Sequence, residues 1–448
     1  MRVGSADGSP AVRPPVPPLL YLSFQGVPAR GDVSTSKRHI VVHYHELWLK
    51  GGNRRFFLGK LLKALRKSLE DVGLAKLHCP GDRILIELAE GAPIEPAMDR
   101  VSRVLGVAYF AVAREAPRDD TDLELQGLCR AAWEEVEPLE FRSFAVRAKR
   151  SDKAFPRRTS EIEPIVGRFL LDRLRDAGRD VRVNLDEPEM TCRIEVTPRS
   201  VLVYARKIPG AGGMPANTAG RLMCLLSGGF DSAVAAYKMM RRGAHVSFVH
   251  FWGGGAQPGE SSVHVARALV RKLVPYQFTA TLFLVPFEPL QREIVNGASE
   301  EFRVLLYRRL MLRIAEKFAR RDHSLGLISG DSLGQVASQT LHNMAAVGAA
   351  AEYPLYRPLV GDDKEQIMAL ARRIGTYEIS AEPFHDCCPL FLPRAPALHA
   401  YPADLDRAES ALDIAEFVRR GVEAAAKERF HFLEGRVEQV ESFRAATA

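Results

Sequence analysis

The chain has 448 residues, with 62 basic against 55 acidic side chains, a net charge of +7, and 46% hydrophobic and 26% charged content. That balance belongs to a folded protein of roughly two to four domains; it excludes a wholly disordered chain, and no apolar run approaches the roughly 20 residues of a membrane helix. Six cysteines, at 79, 129, 192, 224, 387 and 388, form neither a disulfide ladder nor a CxxC zinc pattern, so a reducing, cytoplasmic setting with no membrane partner is expected.

Residues 1–37 mix Pro10, Pro14, Pro15, Pro17, Pro18 and Pro28 with Gly, Ser and Ala, and predict a disordered tail. The LLYLSF stretch inside it lacks the charged flank and cleavage site of a signal peptide. The first domain is placed at 38–112. Ile40–Tyr44 predicts a strand, Gly51, Gly52 and Asn53 a turn, and Phe56, Leu61, Leu62, Leu65 and Leu69 recur at helical spacing. RILIELAE at 83–90 is a further strand, followed by helix and strand to about 115. A second α+β module is placed at 113–208. DLELQGLCRAAWEEV reads as an amphipathic helix, Phe144–Lys149 as a strand, Ile162–Leu174 as a helix, and VRVNLDEPEMTCRIEVTPRSVLVYARKIPG as further strands.

The Gly- and Pro-rich stretch at 209–220 predicts a linker, and beyond it the pattern changes. LMCLL, AHVSFVHFW, TATLFLVPF and LGLISG are apolar strands, each followed by a helical stretch. That alternation predicts an α/β fold, a doubly wound parallel sheet at 221–398 preceded by two small α+β domains, with ligands at the carboxyl ends of its strands. Residues 399–448 read as a charged helical extension without cysteine.

Chemistry-bearing residues gather at those strand ends. In LLSGGFDSAVAAYKMMRRG (225–243), Gly228 and Gly229 let the backbone approach a bound group, and the new helix start favours an anion. Ser227 and Ser232 add hydroxyls, and Asp231 would meet phosphate through Mg²⁺. No lysine follows the glycines, so this is not a GxxxxGK[ST] loop; a plain serine-capped strand–helix turn is the bland alternative. SGDSLGQVASQTLHNM (329–344) follows another strand, with Gly330 for close approach and Gln339 and Asn343 expected on one helical face; a satisfied polar helix face is the alternative. EPFHDCCPLF (382–391) carries adjacent cysteines, either sulfur-transfer thiolates or two packed, inert thiols. FRSFAVRAKRSDKAFPRR (141–158) sets seven basic residues against one acid among three phenylalanines, and LKGGNRRFF (49–57) has the same flavour. Both read as phosphate-backbone contacts or as solvated basic faces.

SGGxDS after an apolar strand resembles the pyrophosphatase-type loop of ATP-dependent adenylating enzymes, which break ATP between the α and β phosphates. Together with LKGGNRRFF, VRAKRSDKAFP, ARKIPGAGGMP, GDSLGQVASQT and EPFHDCC, the chain from about 38 to 395 resembles the tRNA 4-thiouridine synthetase, or tRNA sulfurtransferase, family. The resemblance implies a ferredoxin-like domain, a THUMP RNA-binding domain and a PP-loop adenylation domain. It implies adenylation of O4 of uridine-8 with ATP and Mg²⁺, then replacement of that oxygen by sulfur from a persulfide supplied by a cysteine desulfurase. Family members also pass sulfur to thiamin thiazole synthesis through a small carrier protein, and a homodimer is expected.

Carried over by position, Leu225, Leu226, Ser227, Gly228, Gly229, Asp231 and Ser232 would cradle the nucleotide. His250 and Phe251 would lie near the adenosine, Arg308 would make a basic contact, and Gly330 and Gln339 would complete the pocket. Cys388 matches the catalytic cysteine, with Cys387 a helper and Asp231 the metal-facing acid. Lys50, Arg54, Arg55, Arg147, Lys149, Arg150, Lys153, Arg157 and Arg158 are the tRNA-binding candidates. Two features depart from the family. No rhodanese-like domain is read at the C-terminus, and Asp331 stands where members more often have Glu. Without a CxxC pair in the catalytic domain, no iron–sulfur cluster or other tightly bound metal is expected. Competing readings are a ligase of the same ATP chemistry acting on another substrate, a non-catalytic tRNA-binding protein with a decayed domain, and sulfur transfer for thiamin alone.

Overall fold

The structure, a computed structural model, describes residues 38–253, 262–382 and 395–444. The tail at 1–37 and the cysteine pair at 387 and 388 lie outside the described residues.

The first half holds strands β1 (Arg38–His43), β2 (Leu74–His78), β3 (Ile84–Leu88), β4 (Tyr109–Ala116), β5 (Ser143–Arg150), β6 (Arg182–Val183), β7 (Met190–Val196), β8 (Val201–Tyr204) and β9 (Ile208–Pro209). Helices α1 (Arg54–Leu69), α2 (Ile94–Arg103), α3 (Gln126–Val136) and α4 (Thr159–Asp176) cover them. These strands form one sheet, in the order β2-β3-β1-β4-β8-β7-β5-β6 with β9 on β4. The expected boundary at 112/113 therefore falls inside β4, which pairs with β1 on one side and β8 on the other. What reads as two modules shares a single backbone ladder.

A buried polar cluster fastens that shared sheet. Glu195 of β7 accepts from Arg83 and from the Tyr204 hydroxyl at 2.7 Å, and His43 of β1 lies 3.0 Å away. Burial alone would raise the Glu195 carboxyl, but His43 and Arg83 hold it below the usual range. Removing one member of such a buried set leaves an uncompensated charge, so the cluster ties Arg83 and His43 of the first module to Glu195 of the second.

The second half contains β10 (Arg221–Leu225), α5 (Phe230–Met240), β11 (His245–Trp252), α6 (Ser262–Gln277), β12 (Thr279–Pro286), α7 (Glu288–Gly297), α8 (Arg303–Arg321), β13 (Leu327–Ile328), α9 (Leu341–Gly348), β14 (Leu355–Tyr356), α10 (Lys364–Ile374) and α11 (Tyr377–Ala381). After the undescribed stretch come α12 (Pro402–Glu409), α13 (Ile414–Glu423), β15 (Ala426–Leu433) and β16 (Arg436–Arg444). The sheet order is β14-β13-β10-β11-β12-β15-β16, parallel from β14 to β12. Chain order runs from β10 to one side through β11 and β12, then returns to the other side at β13. The carboxyl ends of β10 and β13 are thus a topological switch point.

Two expectations need correction here. The C-terminal stretch is not purely helical. It adds an antiparallel hairpin to the sheet edge, with Thr279 opposite His431 and Leu284 opposite Ala426. The turn at Glu434–Gly435, both at positive φ, closes it. The 209–220 stretch is a packed strap rather than a free tether. Gly212 exchanges backbone bonds with Gly106 and Val107 at 2.8 Å, and Met214 N–H donates to the Arg241 carbonyl at 2.8 Å. Gly213 sits at φ +72°, and a Cβ there would lie 2.1 Å from the Arg241 oxygen. Gly213→Ala is expected to lower stability by about 2–3 kcal/mol, because a strained φ and a backbone clash coincide. A thermal midpoint equal to that of the parent chain rules this out.

Candidate active site

The SGGFDS turn joins β10 to α5. Neither Gly228 nor Gly229 has positive φ; Gly229 caps α5 at φ −81°, ψ 165°. No unusual dihedral requires them, and their value is the bare backbone they offer. The hydroxyls hold the turn's shape. Ser232 Oγ accepts from Ser227 N–H at 3.2 Å and lies 3.1 Å from Ser227 Oγ, while Gly229 N–H donates to Ser227 Oγ at 3.2 Å. The first-turn N–H groups of α5, which no helical carbonyl can satisfy, open on this spot.

The second loop closes against it. A Cβ on Gly330 would stand 2.7 Å from Ser232 N and 2.8 Å from the Asp231 carbonyl carbon. Only glycine lets the backbone after β13 lie this near α5. The next residue, Asp331, is buried and serves as a hub. It pairs with Arg308, lies 3.2 Å from Arg357 Nε, accepts from Ser329 Oγ at 2.8 Å, and from Gln339 Nε2 at 3.4 Å. Burial pushes its carboxyl up, yet the Arg308 guanidinium, the Ser329 hydroxyl and Arg357 bring it below the ordinary range. Arg308 also donates to the Ser338 carbonyl and hydroxyl at 3.1 Å, so it ties α8 to the loop after β13 at two points.

His250 is fully buried, with Nδ1 2.8 Å from the Leu226 oxygen and Nε2 2.8 Å from Ser262 Oγ. Both ring nitrogens are engaged inside the protein, and the side chain braces the strand end under the loop. Leu226 and Phe251 are buried beside it, Phe251 packing edge-to-face on Phe287, and Leu225 is half-buried. Gln339 ends a short 3-10 turn and Thr340 caps α9, so Gln339 and Asn343 do not share the expected helical face.

Two functional candidates escaped the sequence reading. Lys364 Nζ lies 3.2 Å from Asp231 Oδ1, and Gln335 donates to Asp231 Oδ2 at 3.3 Å. The available signal was the capping box of GDDKEQ: Asp363 accepts from Gln366 N–H at 2.8 Å, which starts α10 with Lys364 as its first residue.

Among the basic candidates, several are engaged inside the protein. Arg150 donates to the Arg157, Asp152 and Lys153 carbonyls, and Arg157 to the Leu123 carbonyl and Glu161. Arg147 donates to the Leu185 carbonyl, and Lys149 pairs with Asp82. Lys153, Arg158 and Arg55 are exposed. Arg54 stacks 3.4 Å from the Trp48 ring centroid and donates to Tyr44 Oη at 3.0 Å, and Lys50 sits over Phe57 at 5.4 Å.

Of the cysteines described, Cys129, Cys192 and Cys224 are buried and Cys79 is half-buried. Burial raises all four thiols, Cys129 to about 11 and Cys192 to about 12, which leaves them protonated near neutral pH. Among the described residues no group of His, Cys, Asp and Glu is arranged to hold a metal, and no helix is long and apolar enough to cross a membrane.

Three family models match in this order along the chain: the ThiI ferredoxin-like domain at 39–111, the THUMP domain at 124–206 and the thiamine biosynthesis protein ThiI at 217–414. A probable tRNA sulfurtransferase of Thermus thermophilus is 45% identical over 361 residues, covering 81% of this chain and 86% of that protein. The chain belongs to the tRNA sulfurtransferase (ThiI) family. A probable tRNA sulfurtransferase of Geobacillus kaustophilus is 37% identical over 383 residues, 86% of this chain and 93% of its own. Among solved structures, a 4-thiouridine synthetase–RNA complex with bound ATP matches with a TM-score of 0.75 at 29% identity, covering 90% of this chain and all of that one.

In this family setting the loop contact becomes testable. Gly330→Ala is expected to push the two loops apart and weaken ATP binding at least about tenfold, since one lost interaction of about 1.4 kcal/mol has that effect. Calorimetric titration with ATP and Mg²⁺ measures it, and parent-like affinity refutes the role given to the contact.

Proposed function

We propose that this chain, as a cytoplasmic homodimer, is an ATP-dependent tRNA sulfurtransferase that converts uridine-8 to 4-thiouridine. The observation that carries the reading is the closure of the SGGFDS turn on Gly330 at the switch point, with Asp231 and Lys364 at its mouth. The triphosphate of ATP lies along the first turn of α5, where free N–H groups and the helix dipole favour an anion. Asp231, the carboxylate at the mouth of the loop, would hold Mg²⁺; Asp331 has no free oxygen to offer, since both are engaged by side chains. When bound, the ion neutralises charge on the departing pyrophosphate.

Uridine O4 attacks the α phosphorus, the bond to pyrophosphate breaks, and an adenylated uridine forms. Lys364 is placed to meet negative charge on the phosphates as it shifts, exchanging its Asp231 partner for a phosphate oxygen. A persulfide sulfur, delivered from a cysteine desulfurase, then attacks C4 and AMP departs with O4; a second thiol, the other cysteine of the 387/388 pair or a small thiol in solution, attacks the carrier sulfur and breaks the S–S bond, leaving 4-thiouridine and a disulfide. Four described thiols are raised by burial, so Cys388 and its neighbour Cys387 are the candidates to carry that sulfur. A second outlet leads to thiamin thiazole synthesis through a small carrier protein; its support is the match to a family model described as a thiamine biosynthesis protein. The exposed Lys153, Arg158 and Arg55 supply phosphate contacts, while Arg150 and Arg157 fold the segment that presents them.

Asp231→Asn is expected to abolish AMP and pyrophosphate release while tRNA binding persists; wild-type turnover refutes the role of the loop. Cys388→Ser is expected to keep pyrophosphate release and lose thiolation, read from the near-ultraviolet absorbance of 4-thiouridine in tRNA after incubation with ATP, Mg²⁺, cysteine and a desulfurase. Normal thiolation by this variant and by Cys387→Ser refutes the cysteine assignment.

A further inference from the structure

A fully buried asparagine beside the site holds a group of exposed rings in place. Asn343 is completely buried, and its side-chain amide donates to the Ala337 and Ala397 carbonyls, both at 2.8 Å. Its side-chain oxygen accepts from Ala400 N–H at 2.9 Å. Thr340 Oγ1 adds a bond to the Leu398 carbonyl at 2.8 Å and also caps α9 through Asn343 N–H. These bonds fasten residues 397–400 to the loop that carries Gln335 and Gln339 to Asp231 and Asp331. An apolar core is not what they support. Leu341 is 66% exposed, Leu398 50% and Tyr401 58%. His342 meets His399 with ring centroids 5.0 Å apart and Tyr401 at 5.6 Å, both edge-on, so ring surface remains open to solvent.

Large apolar and aromatic groups held rigidly in the open mark a binding face. This face begins two residues beyond Gln339, whose Oε1 is buried without a partner and can accept one N–H. A nucleobase has the matching chemistry, with two flat faces for stacking and polar edges; uracil in particular presents an N3–H donor next to C4. RNA-modifying sites take a target base out of its stack and hold it between such side chains.

We infer that His342, His399 and Tyr401, with Leu341 and Leu398 around them, form the platform on which the extruded target uracil stacks, with Gln339 Oε1 accepting its N3–H. This rests on the tRNA sulfurtransferase reading above and names the substrate subsite of that enzyme. Asn343 touches no substrate in this account; it is the positioning residue that keeps the platform beside the nucleotide loop.

The product base makes the test direct, because 4-thiouracil crosslinks to what it touches under near-ultraviolet light. The full chain is mixed with tRNA carrying 4-thiouridine at position 8, irradiated, digested and mapped by mass spectrometry. Crosslinks are expected within 341–342 or 398–401. The triple variant His342→Ala, His399→Ala, Tyr401→Ala, altered only at the surface, is expected to lose them and to thiolate about 5- to 150-fold more slowly, the weight of one base stacked on aromatic rings. Its ATP affinity should be unchanged, and its tRNA affinity nearly so, because phosphate contacts elsewhere dominate. Crosslinks confined to other residues, or parent-like thiolation by the triple variant, overturn the platform. Should the parent chain itself form no 4-thiouridine from tRNA, ATP and a sulfur donor, it is the enzymatic reading that fails, an outcome separable from crosslinks that fall in the wrong place on an active enzyme.

Discussion

Gly330 lies so near the first turn of α5 that no side chain fits between them. The chemistry of the molecule is arranged around that contact. It brings the end of β13 to the end of β10 at the point where the sheet reverses its strand order, and so sets Asp331 behind the loop that carries Asp231. A single methyl would separate the start of α5 from Asp331 and the groups bound to it. Glycine is required here by a neighbour, not by a turn, and a sequence motif centred on SGGFDS cannot display that neighbour.

Asp331 makes the contact rigid. A buried carboxylate is costly unless neutralised, and here Arg308, Arg357, Ser329 and Gln339 all converge on it. Two of those partners come from other elements, α8 and the segment after β14, so the charge requirement of one residue fixes the relative position of several. Asp231 is the counterpart at the mouth. Its partners, Lys364 and Gln335, are single contacts of 3.2 and 3.3 Å at a partly open carboxylate, weak enough to be exchanged as the proposed chemistry requires. The same loop pair thus has a locked acid at its back and a replaceable pair at its front.

Much of this was legible in residue order. Alternating apolar strands and helices after 221 told of the parallel sheet, and SGGFDS was legible as the turn from a strand into a helix. What stayed hidden has physical reasons. In ERFHFLEGRVEQV the strand alternation is present, but charged residues at its edge positions mimic an exposed helix; the Glu434–Gly435 turn was the missed signal. Arginine count also hid how many guanidiniums have partners inside the protein. A guanidinium carries five donors, and Arg150 and Arg157 direct theirs to main-chain carbonyls of their own neighbourhood, which composition cannot reveal. Gln339 and Asn343 look like one helical face at spacing four, yet Thr340 between them accepts from Asn343 N–H and starts the helix there.

The front half shows how the remaining geometry follows. An RNA-binding module on a free tether could reach many positions, and a base would then have to find the nucleotide pocket by chance. Here β4 runs through the expected domain boundary, Glu195 draws Arg83 and His43 of one module to the other, and the strap at 209–220 hydrogen-bonds to Gly106 and Val107 on one side and to Arg241 and Gly243 on the other. Each link removes freedom between the exposed basic residues and the loop at Ser227. Holding an RNA at one place and reacting with it at another becomes an effectively intramolecular event when the two are rigidly related. The glycines of the strap, which in the sequence look like flexibility, provide the opposite: they let two backbones pass close enough to bond.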